Sequence, residues 1–521
     1  MNRKIMFCAA ALGVLVLAGC GKSSQNEKTG DKNTFTILTA RNQDWGDAFQ
    51  KGFVAKAAKK AGIKLKWDVV IGSDWGDKKS VTLSSGKLPD AFLGHATLTD
   101  QDVEKNKAAF VVLDDYIKDM PNLQKAFKED PTLKAMCTST DGHIYSLPNK
   151  LAPRPLVGNQ IFINKKWIDK LGMKMPTTYK EFIEVLRAFR DGDPNGNGKK
   201  DEIPYGGGSS GMSSEILLNF VLPFKIFSPF GGGIADNIVM DNDKPIFQAT
   251  TDRYKAAIEA MHSAYKEGLI DPQFFTADGA QVTAKKQSKT PIYGAAVMWT
   301  ADAEFGVNAD QYEALPPLVG EDGGRYVNSD PTRLNYNRNE LVVTKGTTKK
   351  NIKKLMKWAD AFYTNDATAQ TMYGSFGVGT KKLANGDIQV LQPKTGSSDM
   401  FAWKNALRDN GMKYMQPDFE KRLVFDKANS DYAKLSIDKK YRKYALPGFP
   451  NVMYTPEELK TSAKLTTDIN TFVTQKRAQW ITKGGVEKDW NNYKKQLNAM
   501  GLSEFMKIQN AAYARWQDNL K

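Results

Sequence analysis

Three observations predict an α/β fold in two lobes. Period-two apolar stretches alternate with helical ones over residues 34–93. The same alternation reopens near Gln160, and the last stretch of the chain carries helical patterning only. Such alternation argues for parallel sheets with helices on both faces, and the crevice at the carboxyl ends of such strands is where small molecules bind.

The elements follow in order. Phe35 to Thr39 alternates as a short strand, Ala48 to Ala61 has helical spacing and stops at Gly62, and Ile63 to Val70 alternates again. Trp75 to Ser85 reads as a helix closed by Gly86, and Leu88 to Leu93 as a strand. The second region holds a strand at Gln160–Ile163, a helix at 179–189 and the β-branched apolar run Ile292–Met298. Leu341 to Val343 is a further strand, followed by a helix over Lys349–Tyr363. Trp490, Tyr493, Leu497 and Met500, then Phe505, Ile508, Ala512 and Trp516, follow helical spacing and read as core stripes.

The amino terminus carries an address. Met1-Asn2-Arg3-Lys4 is a basic head, and Ile5 to Leu17 is apolar but shorter than the ~20 residues a membrane span needs. Leu17-Ala18-Gly19-Cys20 has the form of a lipobox, so residues 1–19 read as a signal peptide and Cys20 as the lipidated residue; two acyl chains anchor stably where one is marginal. Residues 20–33 hold no large apolar side chain and read as a tether. Only Cys137 is left as an unmodified cysteine, which excludes an intramolecular disulfide. The net charge of +16 falls to +14 without Arg3 and Lys4. The lysines are spread along the chain and no nucleic-acid module is present, so the charge reads as that of an exported protein beside anionic polymers.

Residues 160–207 are the most informative. Thr178 and Glu181 make a capping box, and Phe182, Val185, Leu186 and Phe189 line one helical face. The helix runs into Asp193-Pro194-Asn195-Gly196-Asn197-Gly198-Lys199-Lys200-Asp201-Glu202. Asp193, Asn195 and Asn197 offer oxygens at positions 1, 3 and 5 of a calcium loop, Gly198 allows the turn, and the Lys199 carbonyl and Asp201 follow at 7 and 9. Position 12 is Pro204 where an EF-hand has glutamate, and Glu202 is the natural substitute. The competing reading is a solvent loop rich in turn formers.

DPNGNGKKDEIP, with SGKLPD at 85–90 and GHIYSLP at 142–148, resembles the calcium-loop branch of the extracellular solute-binding proteins of ABC importers. That branch includes alginate-oligosaccharide-binding proteins and Gram-positive sugar-binding lipoproteins. The resemblance implies a two-lobe venus-flytrap with C-terminal helices, closing by hinge motion, and a structural Ca²⁺ away from the cleft. It implies an oligosaccharide ligand, two permease subunits and an ATPase as partners, a monomer at the extracytoplasmic face of the cell membrane, and no catalysis. The lobes are expected at 34–155 plus 316–365 and at 156–315 plus 366–521.

A sugar site wants flat aromatics for CH faces and polar groups for the hydroxyl rim. Asn42, Asp44 and Trp45 follow the first strand, Trp299 ends Ile292–Met298 where the family places a cleft aromatic, and Arg154 lies near the lobe crossing. Trp75 and Trp403 complete the candidates, the alternative for each tryptophan being core packing. A peptide receptor and an adhesin remain as rivals; for a glycan-active enzyme nothing beyond permissive carboxylates speaks, since His95, His143 and His262 stand apart and neither H-E-x-x-H nor G-x-S-x-G occurs.

Overall fold

The computed structural model describes residues 33–42, 44–207, 218–226, 237–329 and 335–521, so the Cys20 lipobox lies outside the described residues. Among the described residues no helix is long and apolar enough to cross a membrane. β1 (Thr34–Arg41), β2 (Lys64–Ile71), β3 (Ala91–Leu93) and β4 (Ser146–Lys150) enter one sheet together with a much later strand, Tyr336–Val343. β1 pairs in parallel with both β2 and β3, as the alternation predicts.

A second sheet combines β5 (Gln160–Asn164), β6 (Ile203–Gly206), β9 (Tyr293–Met298) and β10 (Tyr312–Ala314), and a hairpin of β7 (Ile238–Asp241) and β8 (Lys244–Phe247) stands beside it. The late strand of the first sheet is β11, and a small third sheet joins β12 (Thr380–Lys382), β13 (Ile388–Val390) and β14 (Leu423–Val424).

The expectation of parallel sheets needs correction, because both main sheets are mixed. β11 runs antiparallel to β3 and β4, and β5 runs antiparallel to β9 and β10. The cause is the path of the chain: a strand that returns from the other lobe arrives at the cleft end, opposite to a strand delivered by a local crossover helix. β3 is also shorter than expected. Pro89 has no N–H for a ladder, and the Asp90 carboxylate accepts from Thr36 N (2.8 Å) and Thr347 Oγ1 (3.0 Å) at the strand end.

The lobe boundaries shift as well. Residues 316–329 side with the second lobe, where Val319 bridges Thr178, Ser329 bridges Val157 and Leu318 joins the core. The stretch after 365 begins on the first lobe, since Leu407, Met412 and Tyr414 are buried in that lobe's core. Burial of apolar side chains, each worth about 1.5–3 kcal/mol, decides where such a segment settles.

The helices follow the pattern, except that the one expected from Ala48 starts only at Phe53, after a short 3-10 turn over Ala48–Gln50. Phe53–Ala61 ends at Gly62 with φ +71°, the left-handed cap that glycine adopts without steric cost. Tyr179–Asp191 has the capping box on Thr178 and Glu181 and buries Phe182, Val185, Leu186 and Phe189. Three helices close the chain: Pro456–Lys483, Val486–Ala499 and Leu502–Asn519. Trp490, Tyr493, Leu497, Phe505 and Ala512 pack into the second lobe's core, whereas Met500 and Trp516 cover it from the edge.

Candidate functional site

The cleft is defined by strand ends. β1 and β3 finish there, and the antiparallel β11 begins there, with Leu341 opposite Leu93 and Tyr336 lying beyond the end of β3. Immediately past β1 the chain turns, Trp45 N donating to the Asn42 carbonyl (3.1 Å), which leaves Asn42 and Asp44 exposed and Trp45 half-buried. Trp45 stacks on Trp403 with ring centroids 3.7 Å apart and planes 12° from parallel. Beneath them the buried Arg41 guanidinium stands 5.3 Å from the Trp45 ring and 4.4 Å from Phe49, and its Nη2 donates to the Trp403 carbonyl at 2.8 Å. Burial lowers the pKa of Arg41 to about 10. Trp403, from the helix Ser398–Asn405, is thus joined directly to the first strand.

The floor of the cleft is an ionic network. Arg154 is paired with Asp409. Glu340, wholly buried in β11, accepts from Asn149 Nδ2 (2.8 Å) and Gly411 N (2.5 Å) and meets His95 Nδ1 at 3.2 Å. Burial pushes the Asp409 carboxyl up, but Arg154, Arg408, His95 and Lys413 together hold it below its ordinary value. Burial likewise opposes a charged His95, yet the bond and the charge of Glu340, with Asp409 behind it, raise its pKa. Lys413 is buried, donates to the carbonyls of Asn410 (2.6 Å) and Gly411 (2.8 Å), and is lowered to about 8 by desolvation.

On the opposite wall Trp299 extends past β9, half-buried, with Lys434 Nζ 4.2 Å from its ring centre. That ammonium also donates to the Gly158 carbonyl. The helix Ser430–Tyr441, which carries Lys434, joins the two walls: Ser430 N donates to Ser398 Oγ (3.2 Å) and Ser430 Oγ to Asp302 (2.8 Å). Trp45 and Trp403 are thus in contact, with Asn42 and Asp44 in the same turn as Trp45, while Arg154 pairs with Asp409 and Trp299 meets Lys434 of the helix whose Ser430 bonds Ser398. Trp75 is different. It is 7% exposed and packs among Leu38, Ala40, Phe92 and Phe110, so the core claims it because its helix turns its apolar side onto β1. Sequence reasoning missed His95, Asn149, Glu340, Asp409 and Lys434; their signal exists only in three dimensions, since His95 and Glu340 are 245 residues apart.

The oxygen-rich loop lies at the other end of the second sheet. β6 and β9 are parallel, so the loop before Ile203 and Trp299 after Met298 are at opposite ends. Asp193 takes φ +42°, and its carboxylate accepts from the N–H groups of Gly196 (3.0 Å), Asn197 (3.2 Å) and Gly198 (3.1 Å). Asn195 and Asn197 both donate side-chain N–H to Asp201 at 2.9–3.1 Å, and Lys199 N donates to Asn197 Oδ1 (2.8 Å). Glu202 has a buried oxygen, Oε1, without a hydrogen-bond partner, and burial with the charges of Asp193 and Asp201 raises its pKa. Among the described residues no three His, Cys, Asp or Glu cluster as a metal site; the loop's donors are of mixed kind, amide and carboxylate. The orphaned Glu202 oxygen and the crowding of like charges fit a hard cation.

Comparison with known proteins places this architecture. Residues 39–369 match the model of the bacterial extracellular solute-binding protein family. The chain is 31% identical to the fructooligosaccharide ABC transporter substrate-binding protein FusA of Streptococcus pneumoniae, over 97% of this chain and 96% of FusA. The structure of FusA with kestose superposes with a TM-score of 0.76 at 28% identity, covering 93% of this chain and all of that one; an EF-hand mutant of FusA with fructo-nystose gives the same values. An HMO-binding, ABC-transporter-associated solute-binding protein of Bifidobacterium longum infantis has a TM-score of 0.79 at 25% identity, over 94% of this chain and 99% of its own. Two α/β lobes around a cleft, closed by C-terminal helices, and a family match over more than half the chain lead to one conclusion: this protein belongs to the bacterial extracellular solute-binding proteins.

Proposed function

We propose that the protein is the substrate-binding subunit of an ABC importer and captures an oligosaccharide between its lobes for delivery to two permease subunits and their ATPase. The observation that carries this reading is the likeness to FusA over nearly the whole of both chains. Trp45, Trp403 and Trp299 supply flat faces for sugar CH groups, and Asn42 and Asp44 supply rim partners. Arg154, His95 and Lys434 each already face Asp409, Glu340 or a carbonyl, which favours a neutral, hydroxyl-rich ligand over an acidic one. The binding step breaks no bond and needs no catalytic group, so the protein acts as a receptor and not an enzyme.

Asp193, Asn195, Asn197, Asp201, Glu202 and the Lys199 carbonyl would hold a Ca²⁺ that supplies structural cross-linking only. A lipidated Cys20 would keep the monomer at the extracytoplasmic face of the cell membrane. A thermal-shift panel of neutral, uronic and amino-sugar oligosaccharides, with peptides as controls and calcium present, tests the central claim. A shift of several degrees with neutral oligosaccharides recovered intact supports it. A shift with peptides alone moves the protein to the peptide receptors, and a cleaved sugar makes it an enzyme.

A further inference from the structure

We propose that the face of the first lobe opposite the cleft is a docking surface for an anionic phospholipid bilayer. Two helices form it. Phe53–Ala61 and Lys349–Asp360 lie side by side, with Phe53 5.1 Å from Phe362 and Trp358 Nε1 donating to the Val54 carbonyl. Together they carry eight lysines, seven of them exposed and Lys354 half-buried, and Lys353 is paired with Asp119 at 3.3 Å. Their one acidic residue, Asp360, is buried and accepts from Asn122 Nδ2 and Leu123 N. Lysines that look scattered along the chain are thus gathered on one face by the fold. Solubility alone does not ask for this, because the helix Val486–Ala499 mixes Glu487 and Asp489 with its lysines.

The position of the face points to its partner. β1 runs from Thr34 to Arg41, and Arg41 sits under the cleft tryptophans, so Thr34 marks the opposite pole. The helix Phe53–Ala61 finishes at that pole, where β2 starts with Lys64 opposite Thr34. Lys349–Asp360 starts there, after antiparallel β11, and Lys354 Nζ donates to Asn33 Oδ1. The basic face therefore borders the point at which the preceding residues join the lobe. If Cys20 is the anchor, the twelve residues between it and Asn33 span at most about 40 Å, which lets this pole rest on the bilayer. Lysines within a Debye length of anionic headgroups are attracted to them, and the attraction is screened by salt. Resting on this pole turns the cleft outward, toward arriving ligand.

This inference rests on the receptor reading for its setting, but its test uses neither sugar nor acyl chain. The full chain carrying Cys20→Ser is sedimented with vesicles of phosphatidylglycerol and phosphatidylcholine, and with pure phosphatidylcholine. Binding should be at least about tenfold tighter to the anionic vesicles and should vanish at about 0.5 M salt. Lys349→Glu/Lys350→Glu/Lys353→Glu should lower it about tenfold with an unchanged melting temperature, whereas Lys488→Glu/Lys495→Glu/Lys507→Glu on the second lobe should not. Equal binding to both vesicle types, equal loss in the two triple variants, or binding to soluble polyglycerol phosphate but not to vesicles would overturn the proposal. A failed sugar screen with intact vesicle preference would strike the receptor reading alone.

Discussion

The oxygen-rich loop and the cleft floor are both clusters of charge and amide, yet they are assembled in opposite ways. Every residue of the loop falls between Asp193 and Glu202, and its bonds are made within that stretch and with Lys170, whose Nζ donates to the Pro194 carbonyl at 3.0 Å. The floor pairs Asn149 and His95 with Glu340 across 191 and 245 residues, and Arg154 with Asp409. A local cluster answers mainly to its own ligand. A distributed one depends on β4, on β11 and on the segments around His95 and Asp409 meeting correctly, so damage to it should spread.

The largest test of this contrast is Glu340→Ala. It strips a wholly buried acceptor from Asn149, Gly411 N and His95, and should cost about 3–5 kcal/mol of stability in urea unfolding, together with sugar affinity. A loss under about 1 kcal/mol would mean that the floor is not a single network. Next, calcium removal by chelator should lower stability by about 2.7 kcal/mol if the site is saturated a hundredfold, while sugar affinity measured at a temperature where the protein stays folded changes less than twofold. Asp193→Ala should abolish the chelator effect. An unchanged melt in excess chelator defeats the calcium reading, and lost sugar binding would defeat the separation of the two regions.

Trp403→Ala should weaken oligosaccharide binding by about 2 kcal/mol, roughly thirtyfold by calorimetry, with Trp403→Phe recovering part of it. Unaltered affinity would place the Trp45–Trp403 stack outside the ligand site. The smallest effect concerns pH. His95 has a raised folded-state pKa, so its pairing with Glu340 stabilises fully below the unfolded value of about 6.5 and is lost as pH rises through the folded value. Stability should therefore decline across that upper window, and His95→Gln should flatten the decline; an identical pH profile in the variant would remove His95 from the network.

Much of the fold was legible because its cause is local. The capping box at Thr178, the glycine stop at Gly62 and the stripe through Trp490, Tyr493 and Leu497 each depend on neighbours within one or two helical turns. Strand direction was not legible, since periodicity is the same in parallel and antiparallel pairs and only the return of β11 from the other lobe settles it. Trp75 and Trp403 make the same point for the site. Both stood as ligand candidates on residue type, and one is core while the other stacks at the cleft mouth.

By itself the amino-acid sequence determined many of the strand and helix positions and the spacing of oxygens between Asp193 and Glu202, because each is written in contiguous residues. The tertiary structure alone decided which residues meet at the cleft floor, which lobe takes residues 316–329, and that the lysines of Phe53–Ala61 and Lys349–Asp360 share a face. Those depend on chain crossings between distant segments, and apolar burial selects such crossings for the whole lobe at once, leaving no periodic trace in any one stretch.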